Sequence, residues 1–248
     1  MTAPPRAMDT AHAYWPAMLA ASALGTNLGD LWAGLLFHSR LASLGVMLAL
    51  CAAAVWHDRE KAARSEAWYW AAIVAMRAAA TNLADLLLET GFGYGLAAVL
   101  LWGVTVAAAC LTRPGTRPGT RPGMGRDGSP LVDGRYWAAM FAAGLFGTVT
   151  GDWLQHVLGI YPASAMLCLA LAGLILARGA APRSMVLYWA IVMAERCAGT
   201  AVGDALASHR AMGLGLPLAC VCTGAVTFLL LWVRGRAQAE KPRGAGPA

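Results

Sequence analysis

Charge is what this sequence has least of. Only 13% of its 248 residues are Asp, Glu, Lys or Arg, against roughly 25% in an average soluble domain. That scarcity, with 58% AVILMFWYC, excludes an ordinary soluble enzyme and a disordered chain. Cysteines are also few: Cys51, Cys110, Cys168, Cys197, Cys220 and Cys222. All fall in or at the ends of apolar stretches, so they read as buried thiols and exclude a disulfide-stapled secreted scaffold. Cys220 and Cys222 stand two apart and so point to different faces of a helix, which excludes a metal pair. No cleavable signal peptide is expected, because the polar, Pro-containing residues 1–13 do not lead into a short apolar run with a cleavage site. No phosphate-binding loop with a Lys and no nucleophile elbow is present. Nothing in the sequence identifies a cofactor.

What is present is apolar sequence of membrane-spanning length. Mean hydropathy is +0.55, and candidate spans cover 14–37, 40–56, 67–89, 94–112, 136–158, 161–178, 186–207 and 212–233. Each approaches the ~20 residues that cross ~30 Å of hydrocarbon. Such spans must be helices, since lipid offers the backbone no hydrogen-bond partner. The expected fold is therefore all-α, a polytopic membrane protein of eight transmembrane helices whose first partner is the lipid bilayer.

The basic residues give an orientation. With the N-terminus inside, fifteen Lys and Arg fall on inner segments, and only Arg40 and Arg210 on outer loops. Arg77 and Arg196 lie within spans. This positive-inside asymmetry predicts that both termini are cytoplasmic. It also explains the net charge of +6 without nucleic acid as a partner. Residues 113–135 are of another kind, continuing a TRPG motif that occurs three times from Thr112. Such composition reads as a disordered cytoplasmic linker. The organisation expected is an N-terminal tail (1–13), a first half (14–112), the linker (113–135), a second half (136–234) and a C-terminal tail (235–248).

A repeat organises the spans. Tyr-Trp opens the odd-numbered ones, at Tyr14-Trp15, Tyr69-Trp70, Tyr136-Trp137 and Tyr188-Trp189. Fifteen residues after each Trp stands an aspartate: Asp30, Asp85, Asp152 and Asp204. Four residues before each Asp stands a threonine: Thr26, Thr81, Thr148 and Thr200. The stretches read GTNLGD, ATNLAD, GTVTGD and GTAVGD. Repeats two and four carry Arg77 and Arg196 eight residues before the Asp, where one and three carry Ser22 and Gly144. The Tyr-Trp pairs read as interfacial anchors of an aromatic belt.

These motifs resemble a bacterial family of membrane proteins built from four tandem two-helix repeats, described as a repeat of unknown function, number 347, in uncharacterised membrane-anchored proteins. The resemblance covers about residues 14–234. Ala80 and Ala84 stand where the motif elsewhere has glycine, and the TRPG segment is an insert. The resemblance implies the fold, the topology and a bacterial inner (plasma) membrane location, and it brings no chemistry with it.

Each repeat begins on the same side, so the four are parallel and their aspartates share one depth. Fifteen residues of helix place that layer about 22 Å from the cytoplasmic interface. Intramembrane carboxylates cost about 2.5–3.5 kcal/mol each on insertion scales, and so call for protons, water, counter-charge or a cation. The threonines, with Asn27 and Asn82, add neutral oxygens suited to hard cations. On that count Asp30 and Asp85, in the oxygen-richer repeats, are expected to matter most. Asp152 and His156 share a helix face and form a weaker candidate metal pair. Arg77 and Glu195 share a level across the halves and are expected to form an ion pair, beside Arg196. The functional expectation is a transporter or channel for a small cation, divalent metal or proton coupling included. The alternatives are a non-transporting assembly or sensory component, whose Asp, Thr and Gly motifs are structural, and a membrane enzyme using the aspartates.

Overall fold

A computed structural model describes residues 8–10, 13–37, 39–61, 66–115, 129–180 and 184–239. Among them eight α-helices follow one another: α1 (Tyr14–Leu31), α2 (Arg40–Lys61), α3 (Ala67–Glu89), α4 (Tyr94–Cys110), α5 (Gly134–Leu158), α6 (Ile160–Ala180), α7 (Met185–Ala207) and α8 (Gly215–Ala239). Among the described residues there is no strand, only an isolated bridge between Pro114 and Pro130. Five helices, α2, α3, α6, α7 and α8, are long and apolar enough to cross a membrane. α4 is apolar but shorter, and α1 and α5 are diluted by the Gly, Thr and Asp of their motifs.

The helices sort into an inner ring and an outer shell. α1 packs on α3, α3 on α5, α5 on α7, and α7 back on α1. Each even helix packs chiefly on the odd helix that follows it: α2 on α3, α4 on α5, α6 on α7, and α8 on α1. Burial agrees, with 61% of the apolar windows of α3 and α7 buried but only 17–33% of those of α2, α6 and α8. The outer helices display large apolar side chains such as Val99, Leu169, Leu176 and Phe228, a surface that suits lipid. Cys51 and Cys197 are buried, whereas Cys110 and Cys222 are exposed on outer helices, contrary to the expectation of six buried thiols.

Small residues let the inner helices touch. Gly147 lies against Arg196 and Gly151 against Thr200, so α5 and α7 meet almost backbone to backbone. Asp133 accepts from the backbone N–H of Arg135 and Tyr136, and Ser184 from that of Leu187, which fixes where α5 and α7 begin. Gly159, at φ +88°, is the single residue between α5 and α6, a corner that L side chains rarely turn.

Several boundaries differ from those expected. The first apolar run ends as α-helix at Leu31 and widens into a π-helical stretch, Trp32–Phe37, two residues beyond Asp30. α2 and α8 run on to Lys61 and Ala239. The linker is held at both ends: Gly115 donates to the Ser129 carbonyl and Leu131 to that of Arg113, both at 2.8 Å. Val132 is buried in the core. Residues 116–128 lie outside the described residues. In the N-terminal tail, Met8 is buried and Asp9 and Thr10 bond to Arg234 and Arg178. A segment that reads as free tail is packed here against those two guanidiniums.

Candidate functional site

The ring of inner helices has two unlike ends and a charged middle. At the end where the odd helices begin, the four Tyr hydroxyls meet. Tyr14 bonds Tyr69 at 2.9 Å, Tyr69 bonds Tyr136 at 2.6 Å, Tyr136 bonds Tyr188 at 3.3 Å and Tyr188 bonds Tyr14 at 3.1 Å. This is a closed cycle of hydroxyls, each side chain at most 1% exposed. The Tyr-Trp pairs are therefore not belt anchors, because phenol groups sealed inside a bundle must satisfy one another. Each Trp packs edge-on against its own Tyr, at 5.0–5.4 Å between centroids.

Basic residues cover this end. Arg178 lies over the rings of Trp15 and Tyr188, and Arg234 over Tyr14. Arg234 also binds Glu66, with Nε donating to Oε2 at 2.8 Å and Nη2 to Oε1 at 3.1 Å. Burial pushes the Glu66 carboxyl up, but hydrogen bonds and charge from Arg234, with bonds from Gln238 and Trp70, hold it below the usual range.

The middle is organised by Arg77. Its side chain leaves α3 and crosses to α5 and α7. Nη1 donates to the Gly144 carbonyl at 2.5 Å and Thr148 Oγ1 at 2.9 Å, and Nη2 to the Arg196 carbonyl at 3.2 Å and to Thr200 Oγ1. The expected ion pair with Glu195 is not formed. Glu195 Oε2 lies 3.4 Å from Nε of Arg196, its chain neighbour. A shared depth across the halves did not bring Arg77 and Glu195 together, because neutral oxygens on α5 and α7 take up the Arg77 fork. Thr26, Thr81, Thr148 and Thr200 each donate to the carbonyl four residues back, and two accept from Arg77. The threonines thus serve this middle layer rather than the aspartates. Asn82 Nδ2 reaches Ser43 Oγ on α2 at 2.9 Å. Asn27 is fully buried, with neither amide atom hydrogen-bonded.

The other end carries the carboxylates. Asp30 and Asp85 meet through Arg40, and Asp152 and Asp204 stand near the same end of α5 and α7, which touch at Gly151 and Thr200. Arg40, expected in an outer loop, is instead part of this layer. It opens α2, and its Nη1 binds Asp85 and lies 3.6 Å from Asp30, while its Nε donates to Glu89 at 3.0 Å. Asp204 accepts from Gln155 Nε2 at 2.6 Å. An open cavity of about 760 Å³ beside the layer is lined by Asp30, Ser39, Arg40 and Glu89 among others. His156 stacks on Tyr94, centroids 6.0 Å apart. Among the described residues no three His, Cys, Asp or Glu side chains gather as a metal cage, so Asp152 and His156 acquire no third ligand.

The hydroxyl cycle and Arg40 are what sequence reasoning missed. The fourfold identity of Tyr carried a trace of the first, since an interfacial anchor tolerates Trp or Phe in its place and a hydroxyl cycle does not. Arg40 had no such trace, because a basic residue between two spans reads first as a loop residue. No family model, no curated protein and no solved structure matches this chain.

Proposed function

We propose that the protein is an eight-span membrane transporter, built as four parallel two-helix repeats with both termini cytoplasmic, whose aspartate layer exchanges protons in the movement of a small solute. The observation that carries the reading is a charge imbalance. Asp30, Asp85, Asp152, Asp204 and Glu89 stand at one end of the bundle, and among the described residues Arg40 is the cation ion-paired there, to Asp30, Asp85 and Glu89. Carboxylates in a membrane-embedded bundle that lack counter-charge must bind protons or cations. A proton needs one oxygen, whereas a dehydrated divalent cation needs several at once.

The rest of the ring supports access from the aspartate side. The layer adjoins the open cavity, while the axis beyond it is occupied by Arg77 and then by the tyrosine cycle. Two buried guanidiniums against one carboxylate, Glu195, make that middle unfavourable for a cation to cross in this conformation. A second reading, that the motifs are structural, is favoured for their glycines and threonines by Gly147 against Arg196 and Gly151 against Thr200.

Reconstitution tests the proposal. Full-length protein in liposomes with an internal pH dye should carry protons down an imposed gradient faster than protein-free vesicles. The quadruple Asp30→Asn, Asp85→Asn, Asp152→Asn, Asp204→Asn variant should return to the vesicle rate. Wild-type flux equal to that of protein-free vesicles overturns the reading.

A further inference from the structure

We propose that Arg40 is a built-in cation for the Asp30–Asp85 half of the layer, and that Asp152 and Asp204 are the carboxylates that take up and release the proton. The proposal rests on the proton-exchange reading above and assigns it to particular residues.

The four motifs are alike, but their surroundings are not. Arg40 stands ten residues after Asp30, and the positions ten after the other aspartates are Gly95, Pro162 and Leu214. Only one quarter of the ring thus brings a cation to the layer from its even helix. That guanidinium bridges α1 and α3, bonding Asp85, standing 3.6 Å from Asp30 and holding Glu89 at 3.0 Å. A tethered guanidinium cannot lose its proton and cannot diffuse away, so Asp85 keeps a positive partner at every pH the protein meets.

The opposite half has neutral company. Asp204 accepts from Gln155, an amide. Asp152 forms no ion pair among the described residues. α5 and α7 approach closely through Gly151 and Thr200, which sets Asp152 and Asp204 on touching helices. The groups that face the pair are Asp85 and Arg77 from α3, Asp30 from α1, Tyr94 from α4 and Gln155 from α5 itself. His156, one turn after Asp152, is stacked on Tyr94, and Ser164 of α6 gives its hydroxyl to the Ala201 carbonyl. Arg77 is the cation among them, and its terminal nitrogens are spent on four oxygens of α5 and α7.

A second feature marks the same half. The Asn27 amide is completely buried and unpartnered, and its Oδ1 lies 3.4 Å from where a side chain on Gly203 would begin, next to Asp204. A buried amide left without bonds is costly, and here it offers a donor and an acceptor at the Asp204 side of α1. Two carboxylates at the same end of touching helices, with no ion-paired cation of their own, hold a proton more readily than two charges. The exchange is then simple: one proton from solution bonds to an aspartate oxygen of the pair, and the same bond breaks on release. The expectation that Asp30 and Asp85 matter most is thereby reversed.

Infrared difference spectroscopy of the full-length protein in detergent reads protonation without any need for transport. On acidification only to about pH 6, above the range in which exposed carboxylates titrate, a carboxylic-acid carbonyl component should appear that is absent in Asp152→Asn or Asp204→Asn and unchanged in Asp85→Asn. Asp152→Glu, Asp204→Glu and Asp85→Glu keep a carboxyl for folding, and only the first two should shift the band. In Arg40→Gln a further carboxyl should titrate, and it should vanish in Arg40→Gln with Asp85→Asn. A band that follows Asp85 as fully as Asp152, or an Arg40→Gln spectrum identical to wild type, overturns the assignment. Titration at Asp152 and Asp204 without liposome flux would instead keep the assignment and overturn the transport reading. Flux with the band at Asp85 would do the reverse.

Discussion

Replacing Arg77 by Met is the most informative single change to the fold. Met approximates the length of the arginine stem but removes the charge and every donor. Four contacts disappear, to the Gly144 and Arg196 carbonyls, Thr148 and Thr200. A hydrogen bond from a charged donor contributes roughly 1.5–3 kcal/mol. Two effects oppose that gain in the wild type: the guanidinium is stripped of water, and Arg196 places a like charge in the same layer. The orphaned acceptors also suffer little, since Thr148 and Thr200 still donate to those two carbonyls. The net loss expected is about 3 kcal/mol, or about 6–12 °C in melting temperature for a chain of this size. Thermal unfolding in detergent, followed by helical circular dichroism, measures it. Glu195 supplies the control. Because Glu195 lies against Arg196 and not Arg77, removing its charge in Arg77→Met would leave Arg196 without a carboxylate, so Glu195→Gln should not rescue Arg77→Met. A melting temperature at or above wild type for Arg77→Met, or a clear rescue by Glu195→Gln, would refute this account of the middle layer.

Other changes probe the remaining layers. Tyr136→Phe breaks the hydroxyl cycle at two contacts and should cost about 1–3 kcal/mol by the same unfolding assay; no change would mean that the cycle is incidental. Gly147→Ala would put a methyl group 2.6 Å from the Arg196 carbonyl carbon, so a loss of about 1–3 kcal/mol is expected. Gly103→Ala, with nothing within 4 Å, is its neutral control. Glu66 gives a pH dependence of definite sign. Its carboxyl is held below the ordinary range, so its contribution is complete above about pH 4.3 and is lost as pH falls through the lowered value. Wild type should therefore lose more stability on acidification than Glu66→Gln, and equal losses would show that the Arg234 contact contributes nothing.

The helices were legible because apolar runs bounded by Gly, Pro and charge admit little else, and the fourfold spacing of Tyr, Thr and Asp placed each motif on an odd helix. Partner choice was not legible. Arg77 could be assigned a depth from its distance to Asp85, but depth does not say which side chains across the ring will meet a planar fork. The threonines illustrate the same limit: four residues from Asp allowed a shared pocket, yet a hydroxyl in a helix has the carbonyl one turn back within reach, and it took that. Arg40 escaped because a basic residue between two apolar spans reads as loop, and its partners Asp85 and Glu89 lie on another helix. Met8 and Val132 are buried through tertiary contacts that no local pattern announces.

The rule that each even helix leans on the next odd one carries a consequence for biosynthesis. A hairpin such as α1–α2 has almost no contact within itself, since α2 belongs to α3 and α1 to α8. Such a repeat hairpin does not settle by itself as it leaves the ribosome, because its even helix stays open along one flank until the next odd helix arrives. The flank of α1 waits longest, for α8 is the last of the eight to be made. The ring is thus closed by its youngest member, and a chain halted before α8 would leave the earliest helix unclad, marked for whatever machinery recognises orphaned helices.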